Sequence, residues 1–147
     1  MRSFRSKIIA TCTALACSLG SAAMAQKFNW DKLGEAFCSA TLAGDLAEIR
    51  PLITDGLAQA IEGAAGHPKL QPPRTMFQTY TNAVPSCSAK TINPAIVEIT
   101  RGAPGGPAWR EYIVIVPEAD GVSRIDDVLF ATRKSDTLRA RLRIMAN

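Results

Sequence analysis

The sequence predicts an α+β domain: three N-terminal helices packed on a curved antiparallel sheet of about four strands, followed by a short C-terminal helix. Two observations carry this expectation. Apolar residues recur at helical spacing as far as Gly66, and after Pro73 they recur at alternate positions. The alternating segments are joined by hairpin-like turns, which gives a meander with the helices against one face. A cone-shaped pocket commonly arises between such a sheet and its helices.

The chain opens on "MRSFRSKIIATCTALACSLGSAAMAQ". Arg2, Arg5 and Lys7 make a positive start, residues 8–19 are apolar or small, and that run is too short to span a bilayer comfortably. Ala23-Met24-Ala25 forms an A-x-A processing site, so cleavage is expected between Ala25 and Gln26. Residues 1–25 then act as a signal peptide, and residues 26–147 form one domain exported to the periplasm or beyond. A second reading anchors a lipoprotein at Cys17 of "ALAC", although a lipobox prefers a larger aliphatic residue where Ala14 stands. No second apolar span follows, so no transmembrane segment is expected after cleavage.

In "NWDKLGEAFCSATLAG", Leu33, Phe37 and Ala40 lie on one helical face, with Asn29 or Asp31 at the start and Gly44 at the end. Asp45, with Glu48 three residues on, opens a second short helix in a capping-box-like arrangement, and Pro51 stops or re-aims it. Thr54 or Asp55 opens the third, whose apolar face is Ile53, Leu57 and Ile61 and which Gly63 and Gly66 close. "GHPKLQPP" is a loop. "RTMFQTYTNAV", rich in threonine and aromatics, reads as the first strand. "SCSAKTINPAIVEITR" reads as the second, with Pro94 marking an edge or a bulge. "AWREYIVIV" and "VSRIDDVLFA" follow, separated by "PEADG", whose Asp120-Gly121 favours positive φ. "SDTLRARLRIM" is a short helix capped by Ser135.

Composition excludes some functions. The chain has 17 Lys and Arg against 13 Asp and Glu, but three of the basic residues belong to the signal segment. The domain is close to neutral and offers no electrostatic footprint for nucleic acid. Its one basic cluster, Arg133, Lys134, Arg139, Arg141 and Arg143, reads as a solvated helix face. Cys12 and Cys17 leave with the signal, so Cys38 and Cys87 are an even pair in an oxidising compartment and are expected to form a disulfide. A metal site is not expected, because the two cysteines lack C-x-x-C spacing and His67 is the lone imidazole. No G-x-S-x-G, H-E-x-x-H, phosphate-loop or dinucleotide fingerprint occurs, and no cofactor is expected.

The stretch "FCSATLAGDLAEIRPLITDGL" resembles the first helices of the nuclear transport factor two-like superfamily, the cystatin-like cone fold of ketosteroid isomerase and SnoaL-type cyclases. The matching features are a helix ending at Gly44-Asp45, then Pro51-Leu52-Ile53-Thr54, and a final strand "SRIDDVLF" in which Ser123 and Arg124 stand where a tryptophan is usual. The resemblance covers nearly the whole domain and is similar to exported bacterial members. It implies a curved sheet, a cavity and often a dimer through the sheet face that the helices leave uncovered.

Five residues are candidates for a pocket: Tyr80, Trp109, Tyr112, Asp126 and Asp127. Neighbours on a strand point to opposite faces, so Asp126 and Asp127 cannot act as a two-carboxylate pair. If Asp127 points inward among apolar residues it is a candidate base; if it pairs with Arg110 or Arg124 it is structural. His67 and Asp45 read as a loop residue and a helix cap. No catalytic residue is assigned. The functional expectation is a non-catalytic exported domain that binds a small apolar ligand in its cone, or a second copy or envelope protein through its sheet. The alternative is a small isomerase, dehydratase or hydrolase that uses one aspartate with a tyrosine.

Overall fold

The computed structural model describes residues 28–82, 84–103 and 105–147. The expected signal segment, with the expected Ala25–Gln26 cleavage position, Cys12 and Cys17, lies outside the described residues. The domain is α+β, with helices on one face of a four-stranded antiparallel sheet in the order β1-β2-β3-β4. The elements are α1 (Asp31–Ala43), α2 (Leu46–Ile49) running into a 3-10 turn (Arg50–Leu52), α3 (Asp55–Gly63), α4 (Pro73–Met76), β1 (Ser86–Asn93), β2 (Ile96–Gly102), β3 (Ala108–Pro117), β4 (Ser123–Leu129) and α5 (Leu138–Met145).

Local chemistry explains the helix boundaries. Trp30 precedes α1, and Asn29 Oδ1 accepts the Asp31 N–H at 2.9 Å. Gly44 ends α1 with φ 73°, a left-handed conformation that glycine adopts without steric cost. Asp45 then accepts the N–H groups of Ala47 and Glu48, and Thr54 Oγ1 accepts that of Leu57, so both caps sit where the sequence places them. At α5 the cap is Thr137, whose Oγ1 accepts the Ala140 N–H at 3.2 Å, and not Ser135. Ser135 cannot serve because the Asp136 carbonyl is engaged by the Phe130 N–H, which holds residues 135–136 outside the helix.

Two strand expectations are corrected. "RTMFQTYTNAV" is not a strand: it begins as α4 and continues as turns. Pro73 occupies the first helical position, where its missing N–H costs nothing. Thr75 to Thr79 are all buried in succession, which a half-buried strand cannot achieve. The Gln78 side chain donates to the carbonyls of Tyr80 and Asn82 and closes the turn. "SCSAKTINPAIVEITR" is two strands rather than one, because Pro94 sits in a hairpin turn between β1 and β2, where Asn93 Oδ1 accepts the Ala95 N–H. A register shift between Thr91 and Asn93 places a bulge just before it. Four strands result: β3 and β4 lie on the segments the pattern gave, while β1 and β2 both come from the segment read as one strand.

β1 runs along α1, and Gly34 is the point of closest approach. A Cβ there would lie 2.5 Å from Ala89 Cβ and 3.0 Å from Val97 Cγ1. Mid-helix Gly→Ala normally stabilises by up to about 1 kcal/mol. Here the sign is expected to reverse: Gly34→Ala loses about 1–3 kcal/mol through overpacking, read as a lower urea midpoint. An unchanged or raised midpoint would refute this close packing. The N-terminus of α1 is tied to β1 as well. Trp30 N–H donates to Thr91 Oγ1 at 2.8 Å, and the Thr91 hydroxyl and N–H both donate to Asp31 Oδ1 at 2.7 Å. Those Thr91 bonds, the hydroxyl foremost, hold the Asp31 carboxyl below the usual carboxylate range. Cys38 on α1 and Cys87 on β1 are disulfide-bonded, with Cα atoms 5.4 Å apart.

The core lies between sheet and helices. Val97, Ile99, Ile113, Ile115, Ile125 and Val128 meet Phe37, Ile49, Ile53, Leu57, Phe77, Leu138 and Leu142 in one cluster, with Phe37 and Phe77 edge to face at 5.7 Å. The alternate residues of β2 and β3, such as Ile96, Glu98, Tyr112, Val114 and Val116, form the other face and are only half-buried. Among the described residues no helix is long and apolar enough to cross a membrane.

Candidate functional site

The five pocket candidates fall in three separate places. Asp126 and Asp127 occupy a β-bulge: Val114 pairs with Asp127 and Ile115 with Ile125, leaving Asp126 as the extra residue. The simple alternation expected for this strand therefore fails. Ile125 and Val128, three residues apart, are both fully buried, and the two acids lie between them. Both acids serve Arg139 of α5. The Asp126 carboxylate pairs with the Arg139 guanidinium and accepts the Thr54 hydroxyl at 2.8 Å, while the Asp126 carbonyl accepts Arg139 Nε at 2.7 Å. Asp127 Oδ1 accepts the N–H groups of Val128 at 2.8 Å and Arg139 at 3.0 Å. Arg124 instead pairs with Glu118 and Asp120, each at 2.7 Å, and its guanidinium holds the Asp120 carboxyl below the usual range. Arg110 approaches Glu98 at 3.7 Å. The acid pair thus pins α5 to β4, and neither carboxylate is free.

Tyr80 and Trp109 do come together, ring edge to face at 5.0 Å. With Val84, Pro107 and Ala108 they line a cleft of about 440 Å³ at the end of the sheet. Tyr80 reaches it from a turn rather than from a strand, and Trp109 Nε1 points back to Glu111 Oε1 at 2.9 Å. Tyr112 is on the uncovered face, its hydroxyl 3.4 Å from Glu98 Oε2. It borders a second cleft of about 660 Å³, together with Arg110, Leu129, Ala131, Arg133 and Lys134.

The most unusual group in the domain is one that the reading of the sequence missed. Arg101 and Glu111 are 1% and 0% exposed and form an ion pair at 2.8 Å inside the core. Every side-chain nitrogen and oxygen of the pair has a hydrogen-bond partner. The guanidinium donates to Thr41 Oγ1 and to the Phe77 carbonyl at 3.3 Å, and the carboxylate accepts the Thr79 N–H and Trp109 Nε1. A signal was present. Val97, Ile99 and Arg101 share one face of β2, as Glu111, Ile113 and Ile115 share one face of β3. Each strand carries a single charge on its apolar face, and the two charges are opposite. The register makes them diagonal neighbours, since Ile99 pairs with Glu111 and Arg101 with Trp109. The pair and its partners link α1, residues 77–79 and the sheet.

The basic cluster of the C-terminal segment is divided by its partners. Arg139 is bound by Asp126. Arg141 pairs with Asp136 at 2.8 Å and stacks over Phe130, 3.7 Å from the ring centre. That pairing holds the Asp136 carboxyl below the usual carboxylate range. His67 lies in a turn, its Nδ1 accepting the Lys69 N–H. Among the described residues no three His, Cys, Asp or Glu side chains gather as a metal site. Fold and surface together define an α+β domain with a buried ion pair in its core and, among the described residues, one sheet face that no helix covers. No protein-family model, curated protein or solved structure matches the chain.

Proposed function

We propose that the protein is an exported, non-catalytic binding domain of the nuclear transport factor two-like type, and that it holds a protein partner against the uncovered face of its sheet. The observation that supports this reading is the contrast between the two faces. On the helix-covered side the Arg101–Glu111 pair is buried in the core. On the other side Ile96 lies beside Val114, Val114 is flanked along β3 by Tyr112 and Val116, and Tyr112 lies beside Leu129. These five side chains form a contiguous apolar band, rimmed by Lys90, Glu98 and Arg110, of the kind that marks an interaction surface. The Cys38–Cys87 bond suits an oxidising compartment, in keeping with the export signature. The enzyme reading loses support because the aspartate it needs is already engaged by Arg139.

A photo-crosslinking amino acid at Val114, compared with one at Lys32 on the exposed side of α1, tests the proposal in the producing cell. A discrete adduct from the Val114 position alone is the expected result, and an adduct of twice the chain mass identifies a second copy as the partner. Crosslinking from Lys32 only, or from neither position, overturns the reading.

A further inference from the structure

We infer that the partner's anchoring element is an acidic side chain next to an apolar one, received in the cleft between Arg110, Arg133 and Lys134; this rests on the sheet-face reading above and names the chemistry of what binds there. The cleft has an apolar floor and a cationic rim. Tyr112, Leu129 and Ala131 make the floor, with the edge of Phe130, and the volume is about 660 Å³. Phe130 is buried and stacked by the Arg141 guanidinium, so this part of the lining is packed structure.

The rim cations are short of partners. Arg133 and Lys134 are exposed and make no ion pair among the described residues, and Arg110 is 69% exposed with only Glu98 at 3.7 Å. Asp136, the acid nearest Arg133 in the chain, has both oxygens occupied by Arg141, and Thr132 donates to it as well. The sorting of charges therefore has a direction. The fold neutralises Arg139 and Arg141 and leaves Arg110, Arg133 and Lys134 around one apolar slot. An anion between three cations, with its apolar neighbour on Tyr112 and Leu129, complements both parts, whereas a basic segment is repelled. A membrane surface suits less well, since it is bound by a broad basic face rather than by three cations around one concavity.

Panning a peptide library displayed on phage against the immobilised disulfide-bonded domain tests the inference. The expected consensus pairs Asp or Glu with an aromatic or aliphatic residue. A synthetic peptide of that consensus binds with affinity reduced about tenfold or more in Arg133→Glu/Lys134→Glu, and unchanged in Arg143→Glu, an exposed α5 cation outside the cleft. Amide shifts in a heteronuclear NMR titration follow residues 110–114 and 129–134. Selected peptides that lack acids but still shift the β2–β3 face overturn this inference and leave the sheet-face reading standing. Shifts confined to the helical side overturn both. Sedimentation with phosphatidylglycerol vesicles that the same double variant abolishes, in the absence of any acidic peptide consensus, replaces the peptide by an anionic lipid surface and overturns the proposal.

Discussion

Glu111→Leu is expected to lower the unfolding free energy by about 3–5 kcal/mol, because it strands the Arg101 guanidinium in the core. Globular domains have only about 5–15 kcal/mol in total, so the variant stands near the limit of folding. The loss has two parts. The guanidinium keeps its bonds to Thr41 and Phe77 but no longer has a counter-charge, and it is 1% exposed, so water cannot replace the carboxylate. The Thr79 N–H and the Trp109 indole N–H lose their acceptor, and a buried donor without a partner costs about 1–3 kcal/mol. Arg101→Met/Glu111→Leu removes both charges and is expected to recover part of the loss, with the remainder set by the two orphaned donors. Urea unfolding followed by Trp109 fluorescence supplies the numbers. A single variant within 1 kcal/mol of the parent would show that the carboxylate is not held in a closed interior.

Cys38→Ala/Cys87→Ala is expected to cost about 4 kcal/mol on the chain-entropy account, in which a crosslink between residues 49 apart restricts the unfolded chain. For a domain of this size that corresponds to a drop of roughly 10–20 °C in Tm. The bond joins α1 to the edge strand β1, and the loop it closes contains α2, α3 and α4. Cys38 is buried on the inner side of α1 and Cys87 is half-buried, so a reductant is expected to act faster once the domain opens than on the native protein. A thiol assay on the unreduced domain of residues 26–147 should find no free thiol. Two titratable thiols, or a double variant with unchanged Tm, would remove the crosslink from the account.

Some of this architecture was legible residue by residue. Asp45 and Thr54 cap their helices with bonds to residues two and three positions ahead, and Gly44 turns the chain by its own φ. Such features depend on a few neighbouring atoms. The disulfide followed from cysteine arithmetic, with Cys12 and Cys17 assigned to an expected signal segment. The candidate site was legible only in fragments. Tyr80 and Trp109 do share a cleft, but Tyr80 reaches it from a turn that period-two composition disguised as a strand. Asp126 and Asp127 read as neighbours on opposite faces of a strand, with at most one of them facing a pocket. The bulge breaks that alternation, and Arg139 engages both acids.

The chain by itself determined where its first three helices begin, which cysteines pair and that an antiparallel meander follows the helices, because each of these is a matter of local hydrogen bonding or of counting. Tertiary structure alone decided which strand face is covered, why residues 75–79 are buried without being a strand, and where the charges of Arg101 and Glu111 go. Those outcomes turn on partners far away in sequence. Glu111 satisfies the Thr79 N–H, Arg101 reaches Thr41, and Asp126 meets Thr54 and Arg139. A buried charge is tolerable only where its counter-charge and donors arrive together, and that condition is met only when the sheet closes against the helices.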